Sequence, residues 1–379
     1  MLTSLLPQSL EEEEPHVLNL DDLKELQFML AQADLEEEAR RRSPNRVKVL
    51  CLSIWYPLSM SRYFERAMRR NPDIDLVTVG SYTGAWIPWT DAQNPSGMTL
   101  PIKYATEPTI TLPFPPNVST VNYEFIKSKI EKEIGNWKPD LVVAIDAGVN
   151  WASKPQDGYV VTVGTDPHVL DYSHARRVSD KFFNMQKCYS QDKDIYLPYA
   201  YDPTVHYPQE RYVPAVFKGV TREDGSGVDR YTGDPYKDLD AVLIGNIYQE
   251  RVQWVSELRK HGVSVEHKLG VVFDEARELA NRARIGLNWS TLNDLNARFF
   301  ETPAYGLAMV SNRVPDAHLF LTEGEDYVGF TGMDEGIEKV LYLKNNPEEL
   351  ERIARNGYKK IRNETYDVRV EKILRECGF

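Results

Sequence analysis

The segment LNARFFETPAYGLAMVSNRVPD, residues 295–316, decides the fold because it contains the unit that parallel α/β sheets repeat. An apolar helix, a glycine at its end and a short continuous apolar run predict a helix that leads into a buried parallel strand. The helix also carries Arg298 and Glu301, which are three positions apart and therefore share one face. The segment raises the question of why two charges lie where this helix meets a strand end.

Similar strand and helix patterns flank this segment. The strands LDAVLIG, VSVEHK and IGLNWS alternate with helical patterns and predict a doubly wound C-terminal lobe over residues 238–360. RVKVLCLS, IDLVTVG, PDLVVAID and GYVVTVG predict an N-terminal lobe over residues 46–213. A chain of 379 residues exceeds the roughly 250 to 300 residues at which single cores stop growing. The predicted fold class is therefore α/β, with two Rossmann-like lobes.

Four further segments complete the predicted domain organisation. The helical spacing of the first residues indicates a preface, a Gly, Pro and Asp-rich stretch indicates a linker or inserted hairpin, and the last helix is expected to pack back on the N-terminal lobe. Within the N-terminal lobe, prolines and aromatic residues indicate a long irregular loop. The ranges are 1–45 for the preface, 81–117 for the loop, 214–237 for the linker and 361–379 for the last helix.

Bulk composition excludes several classes of protein. A net charge of -12 opposes indiscriminate binding to polyanions. Cys51, Cys188 and Cys377 have no spacing typical of a disulfide framework or a zinc site, so they are expected to be buried thiols. The sequence has no run of about 18 apolar residues, and its N-terminus lacks a basic signal region. We therefore expect a cytoplasmic protein without a membrane span.

Two turns in the C-terminal lobe are candidate anion sites. In IGNIYQER, residues 244–251, a strand ends at Gly245 and Arg251 follows in the first turn of a helix. In the opening segment, Asp294 is the expected N-cap, and the backbone N–H groups of Leu295 to Ala297 would point outward toward a phosphate. Arg298 would assist with phosphate.

Glu301 has two interpretations at this stage. A carboxylate at this place can accept two hydrogen bonds from a ribose diol, as an acidic residue does in dinucleotide-binding folds. The alternative is an ordinary ion pair with Arg298, which stabilises an exposed helix by only about 0.2 to 0.5 kcal/mol. The spacing of the two residues does not choose between these interpretations.

Polar residues at strand ends of the N-terminal lobe form a second candidate group. Asp146, Asp166 and His168 follow buried strands, where ligands of open α/β sheets gather. His168 is a candidate base or hydrogen-bond partner, and Asp166 is either a site residue or the cap of the next helix. Ser59 and Ser61, in the first strand-to-helix turn, could contact phosphate or cap their helix. Five other histidines are interpreted as surface or structural residues: His174, His206, His261, His267 and His318.

Several motifs resemble known glycosyltransferase elements. The run ETPAYGLAMVSN resembles the Glu-Ala-Met-Ala-x-Gly-x-Pro-Val-Ile element of retaining GT-B glycosyltransferases, and GNIYQER resembles the Gly-Arg-Leu-x-x-x-Lys phosphate element of the same enzymes. Together with KPDLVVAID, TDPH, LPYAYDPTVHYP and NPEELERIARNGYKKI, in this order, they resemble the CgeB-like branch over roughly residues 46 to 375.

This resemblance implies two lobes that face each other across a cleft and transfer of a sugar from a nucleotide sugar, with UDP-sugar favoured, to an acceptor hydroxyl. It implies retention of configuration, no cofactor and no metal; His168, Asp166 and Arg251 would be catalytic. Two departures are Asn246, in place of an arginine, and Asn293, in place of a glutamate. The implied donor-binding residues are Gly245, Asn246, Arg251, Asn293, Leu295, Asn296, Arg298 and Glu301.

The acceptor remains open from the sequence. SRYFERAMRR and HARRVSDKFFNMQK concentrate basic residues in the N-terminal lobe, and Trp86 and Trp89 could stack on a sugar ring or base or pack within their own loop. A hydroxymethylated DNA base is one possible acceptor, and a glycan, protein or small molecule is the alternative. A sugar-nucleotide epimerase and a noncatalytic nucleotide-binding module also fit the motifs. The candidate acceptor residues are Ser59, Ser61, Trp86, Trp89 and Asp146.

Overall fold

The computed structural model of this chain consists of two parallel sheets flanked by helices. It describes residues 46–87, 98–113, 119–146, 149–209 and 237–379. The predictions for the preface, for almost all of the linker and for Trp89 lie outside these ranges.

The N-terminal lobe contains the larger sheet. Its seven strands are all parallel, in the order β11-β10-β9-β7-β1-β2-β5, as expected for continuous apolar runs buried on both faces. Two short pairs, β3 with β4 and β6 with β8, lie outside this sheet. The strands are β1 (Val47–Trp55), β2 (Ile74–Tyr82), β3 (Trp86–Ile87), β4 (Met98–Thr99), β5 (Ile110–Leu112), β6 (Thr120–Val121), β7 (Leu141–Asp146), β8 (Asn150–Trp151), β9 (Tyr159–Gly164), β10 (Lys181–Asn184) and β11 (Ile195–Tyr196).

Three α-helices of this lobe are described. They are α1 (Met60–Arg70), α2 (Tyr123–Glu133) and α3 (Ser173–Arg177), and two single turns of 3-10 helix lie at Ile102–Tyr104 and Lys187–Tyr189. The Asn122 side chain caps α2 by accepting a 2.9 Å hydrogen bond from the backbone N–H of Glu124.

The C-terminal lobe contains a five-stranded parallel sheet in the order β13-β12-β14-β15-β16. Its strands are β12 (Leu239–Ile244), β13 (Val265–Lys268), β14 (Ala283–Asn288), β15 (Ala308–Asn312) and β16 (Val328–Phe330). Its helices are α4 (Gln249–Lys260), α5 (Phe273–Asn281), α6 (Arg298–Ala304), α7 (Met333–Asn345) and α8 (Pro347–Ile361), with a 3-10 turn at Ala317–Leu319. Two Rossmann-like lobes, the predicted fold class, are confirmed.

The last helix, α9 (Tyr366–Cys377), belongs spatially to the N-terminal lobe. Arg70 of α1 donates two 2.8 Å hydrogen bonds to the Asp367 carboxylate. Tyr366 is fully buried and packs edge-on against Phe64, with ring centroids 5.1 Å apart. The chain therefore returns from the C-terminal lobe and completes the core of the N-terminal one.

The proline-rich loop is more regular than its composition predicts. Strand β5 lies between Pro108 and Pro113 and pairs with β2, so the prolines bound the strand and leave its ladder intact. The loop also reaches the other lobe, because Tyr104 Oη donates a 2.6 Å hydrogen bond to Asp274 of α5. Trp86 is 39% exposed. The described part of the loop therefore contributes to the interface between lobes.

Two expectations from composition can be compared with the described residues. None of their helices combines the length and apolar character that a membrane crossing requires. The three cysteines are free, but only Cys51 is fully buried; Cys188 is exposed and Cys377 is intermediate. The expectation of three buried thiols is wrong for Cys188, which lies on an exposed 3-10 turn.

Candidate functional site

The two lobes enclose a cleft with a volume of about 380 Å³, lined by residues from both. It lies beyond the carboxyl ends of the strands, where ligands of open α/β sheets bind. Eight of the predicted site residues line it: Asp166, His168, Gly245, Asn246, Arg251, Asn296, Arg298 and Glu301.

The turn between β12 and α4 holds Arg251 in a fixed orientation. Arg251 is only 3% exposed, and its Nε and Nη1 donate hydrogen bonds of 2.8 and 2.9 Å to the carbonyls of Trp289 and Asn246. Its guanidinium lies 4.8 Å from the centroid of the Tyr248 ring. These contacts leave a rigid positive charge at the cleft wall.

Arg298 places a second guanidinium beside the first. Its Nε donates a 2.9 Å hydrogen bond to Asn288 Oδ1, and its Nη1 donates a 3.2 Å bond to the carbonyl of Ile244. Burial and the neighbouring charge of Arg298 lower the pKa of Arg251, and burial also lowers the pKa of Arg298. Two adjacent, partly desolvated cations repel each other, so an anion bound between them would be strongly favoured.

The start of α6 differs from the prediction. The helix begins at Arg298, three residues after the expected first position, and the Asn296 side chain accepts a 3.1 Å hydrogen bond from the Arg298 N–H. The expected cap, Asp294, instead bonds the Ser290 hydroxyl. Leu295 is 1% exposed, and its N–H donates to Gln186 Oε1 at 3.0 Å. The Leu295 N–H is therefore occupied by the N-terminal lobe and unavailable to a phosphate.

Glu301 is not engaged in the simple ion pair that its spacing allowed. Among the described residues, no ion pair joins it to Arg298, because that guanidinium is held by Asn288 and Ile244. The Glu301 side chain is 21% exposed and lies beside His206, with Nε2 at 3.5 Å from Oε1. No described donor gives this carboxylate a hydrogen bond within normal geometry, so it can accept hydroxyl groups from a ligand.

His206 is the cleft residue that sequence reasoning missed. It was interpreted as surface or structural, but it lines the cleft and is 3% exposed. Nδ1 lies 2.9 Å from the backbone N of Asp202 and 3.2 Å from the Asp202 carbonyl oxygen. The shorter contact, in which the Asp202 N–H donates to Nδ1, favours the neutral ring that carries its proton on Nε2. Burial lowers the pKa of His206, although Glu301 and Asp202 oppose that effect. The only sequence signal was its place in the motif LPYAYDPTVHYP.

The TDPH motif faces the cleft from the N-terminal lobe. Asp166 does not cap α3: its carboxylate accepts a 2.6 Å hydrogen bond from Thr165 Oγ1, and Asp171 accepts the 2.9 Å bond from the Ser173 N–H at the helix start. The Nδ1 atom of His168 is buried and has no hydrogen-bond partner among the described residues. His168 is therefore available to a ligand, as a hydrogen-bond partner or a base.

The remaining candidate residues lie elsewhere or outside the described side chains. Ser59 and Ser61 are fully buried and bond each other at 2.5 Å, so neither hydroxyl caps α1 or reaches the cleft surface. Asn293 is exposed, with a left-handed φ of 56°, and does not line the cleft. Trp86 is also absent from the cleft lining. Trp89 and the side chain of Asp146 lie outside the described part of the chain.

The four arginines of helix α1 form ion pairs with carboxylates of this chain. Arg66 forms a buried 2.7 Å ion pair with Asp202, and Arg69 lies 3.0 Å from Glu65, which also pairs with Arg62. Arg70 pairs with Asp202 and Asp367. The arginines of SRYFERAMRR therefore already bind carboxylates of this chain, which weighs against this helix as a docking surface for a polyanion.

The comparisons with known proteins agree with this architecture. Residues 232–375, which include the whole C-terminal lobe and most of α9, match the model of a family described as glycosyl transferase-like. This part of the chain is therefore similar to glycosyl transferase-like domains. No curated protein matches the sequence.

Solved structures extend the likeness to both lobes. Sucrose-phosphate synthase from Thermosynechococcus elongatus is 11% identical, with a TM-score of 0.53 over 87% of this chain and 99% of that chain. A glycosyltransferase from Rickettsia africae is 9% identical, with a TM-score of 0.52 over 88% and 98%. Anabaena HepE, in complex with UDP and glucose, is 11% identical, with a TM-score of 0.51 over 87% and 99%. At these low identities the structural likeness shows the fold alone, which is GT-B.

Proposed function

We propose that this protein transfers a sugar from a nucleoside diphosphate sugar, with UDP-sugar favoured, to an acceptor hydroxyl in the cytoplasm. The proposal includes retention of anomeric configuration, independence of metal ions and a place in the CgeB-like branch. One observation carries it: Arg251, Arg298 and the carboxylate of Glu301 line one wall of the cleft between two GT-B lobes. This arrangement offers two cations and an acceptor of hydroxyl hydrogen bonds to one ligand.

The diphosphate would bind at Gly245. The glycine has a φ of 141°, and the guanidinium groups of Arg298 and Arg251 lie against its Cα. The Arg298 guanidinium fills the space that a side chain would take, so both arginines lie close to the backbone of the turn and a phosphate at the cleft wall could contact them together. Both guanidinium groups are oriented by carbonyl or amide oxygens, so little ordering is needed when the anion binds.

The ribose would bind at Glu301. A carboxylate that is four-fifths buried without a hydrogen bond loses solvation that a ligand can restore. Two vicinal hydroxyl groups match its two oxygens. Glu301 lies one helical turn from Arg298, so one nucleotide could place its phosphate at the arginine and its ribose at the carboxylate.

The chemical step breaks the bond between the anomeric carbon and the diphosphate oxygen, which keeps the bonding electrons. Arg251 and Arg298 would stabilise the negative charge that develops on this oxygen. The acceptor hydroxyl attacks the anomeric carbon and loses its proton, either to the departing phosphate or to a side chain of the N-terminal lobe. His168, whose Nδ1 lacks a partner among the described residues, is the candidate hydrogen-bond partner or base there, and Asp166 lies two residues before it.

The ion pairs of helix α1 bear on the class of acceptor. The paired arginines of α1 weigh against a nucleic acid, so we favour a glycan, protein or small-molecule acceptor over a hydroxymethylated DNA base. All four classes belong in the acceptor screen.

The first experiment measures thermal stabilisation by UDP, GDP, ADP, CDP and dTDP, because a ligand that binds only the folded state raises its melting temperature. We expect one nucleotide to stabilise the wild-type protein selectively and Glu301→Ala to lose most of the shift. Glu338→Ala, which removes an exposed carboxylate of α7, is the matched control. If no nucleotide changes the melting temperature, or if Glu301→Ala keeps the full shift, the proposed donor site is wrong.

A second measurement separates transfer from the alternatives. Slow hydrolysis of the donor by the wild type, abolished in Arg251→Ala, identifies a catalytic transferase site. Interconversion of two sugar nucleotides without an acceptor would identify an epimerase, and binding without turnover would identify a noncatalytic module.

A further inference from the structure

Glu301 and His206 approach each other from opposite lobes. Glu301 lies on α6 of the C-terminal lobe, and His206 follows the last described strand of the N-terminal lobe. The His206 Nε2 atom lies 3.5 Å from Glu301 Oε1. Since the N–H of Asp202 occupies Nδ1, the proton of the neutral ring lies on the nitrogen that faces the carboxylate.

The surroundings of His206 leave the ring little freedom. It packs against Tyr63 of α1, with centroids 5.5 Å apart, and edge-on against Tyr305, with centroids 5.3 Å apart. Asp202, which bonds Nδ1 through its backbone, is itself held through its carboxylate by Arg66 and Arg70. The imidazole is thereby fixed by the N-terminal lobe with its Nε2 directed toward the cleft.

We propose that His206 is a positioning residue: its Nε2–H group, 3.5 Å from Oε1 without a formed hydrogen bond, attracts the Glu301 carboxylate electrostatically and orients it to bind the nucleotide of the donor. This inference rests on the proposed function and adds to it a specific partner for Glu301. A carboxylate whose orientation is already restricted in the free protein loses less side-chain entropy when a ligand binds. The N-terminal lobe thus contributes to nucleotide binding without touching the nucleotide.

The test is a double-mutant cycle on the affinity for UDP, measured by calorimetry with wild type, His206→Phe, Glu301→Gln and the double variant. Phenylalanine keeps an aromatic ring between Tyr63 and Tyr305 but removes the Nε2 donor. We expect His206→Phe to weaken UDP binding about tenfold in the wild-type background and to have no further effect in the Glu301→Gln background. His206→Gln, whose amide can donate to Glu301, is expected to restore most of the affinity.

Steady-state kinetics add a second readout. If His206 acts through a group that binds the donor equally in the ground state and the transition state, His206→Phe raises KM for the donor and leaves kcat nearly unchanged. An equal loss of affinity in both backgrounds, unchanged affinity in His206→Phe, or no rescue by His206→Gln would overturn the inference.

The failure of the proposed function gives a different result. If Glu301→Gln binds UDP as tightly as the wild type, the ribose role of Glu301 fails, and the positioning role fails with it. If Glu301→Gln weakens binding and His206→Phe does not, only the inference about His206 is wrong.

A measurement on the wild type covers the case in which His206→Phe does not fold. In protein labelled with ¹⁵N-histidine, His206 is expected to show the Nε2-protonated tautomer and to shift when UDP saturates the site. A proton on Nδ1, or a resonance that UDP does not move, would contradict the proposal.

Discussion

Gly245 and Arg298 are in such close contact that a Cβ atom at position 245 would lie 2.7 Å from Nη1 of Arg298. The absence of a side chain at the end of β12 therefore lets the guanidinium of α6 reach across the sheet edge and bond the carbonyl of Ile244. The glycine also has a backbone φ of 141°, which residues other than glycine rarely adopt. The turn and the arginine form one preorganised unit.

Gly245→Ala tests this unit. The added methyl group should displace Arg298 and lower the affinity for the donor nucleotide at least tenfold, as measured by calorimetry. Gly262→Ala is the control: its φ of 75° imposes similar backbone strain, but nothing lies within 4 Å of the added Cβ. It should cost about 1 kcal/mol of stability and leave nucleotide affinity unchanged. Equal affinities for the two variants would contradict the assignment of Gly245.

Arg251 is expected to contribute mainly to the rate. Loss of a cation that stabilises the departing diphosphate should lower kcat by about 10² to 10³ in Arg251→Ala. Arg251→Lys should recover only part of this loss, since an ammonium group cannot bond Trp289 and Asn246 and face a phosphate in the same way. The control variant Arg259→Ala changes an exposed residue of the same helix and should turn over the donor at the wild-type rate.

Asp202 is predicted to be important for stability. Its carboxylate is fully buried and forms ion pairs with Arg66 and Arg70, so Asp202→Asn would leave the buried Arg66 guanidinium with a neutral partner, while Arg70 keeps Asp367. We expect the free energy of unfolding to fall by about 3 to 5 kcal/mol in chemical denaturation. Asp238→Asn, which breaks the half-exposed pair with Arg282, should cost less than about 1 kcal/mol.

The same carboxylate predicts an acid-induced loss of stability. Burial raises the pKa of Asp202, but Arg66 and Arg70 outweigh this effect and lower it to about 2, from 3.8 in the unfolded chain. Its contribution is therefore complete above pH 3.8 and is lost as the pH falls toward 2. The free energy of unfolding of Asp202→Asn should vary less with pH in this range than that of the wild type.

Metal independence is predicted from the two arginines, which can supply the positive charge needed by the diphosphate. Dialysis against EDTA should leave the transfer rate within about twofold of the untreated rate, a difference of less than 0.5 kcal/mol in activation free energy. A rate that is lost after dialysis and restored by magnesium would contradict this prediction.

The local parts of the site could be predicted because neighbouring residues determine them. The strand that ends at Gly245 and the helix that carries Arg251 in its first turn were predictable from the order of apolar and turn residues alone. Arg298 and Glu301 were recognised by helical spacing, although the precise start of their helix was not. The side chain that accepts a backbone hydrogen bond at the helix start belongs to Asn296, since the Asp294 carboxylate accepts a bond from the Ser290 hydroxyl.

Apolar periodicity and short turn motifs depend on contiguous residues, so the sequence alone predicted the two doubly wound lobes and most residues of the candidate donor site. The tertiary structure was needed to show which groups are available to a ligand. The Leu295 N–H is bonded by Gln186 from 109 positions away, Asp202 pairs with Arg66 and Arg70 of α1, and His206 lies beside Glu301 from the other lobe. Contacts between distant segments depend on how the lobes pack, and no local pattern in the chain encodes them.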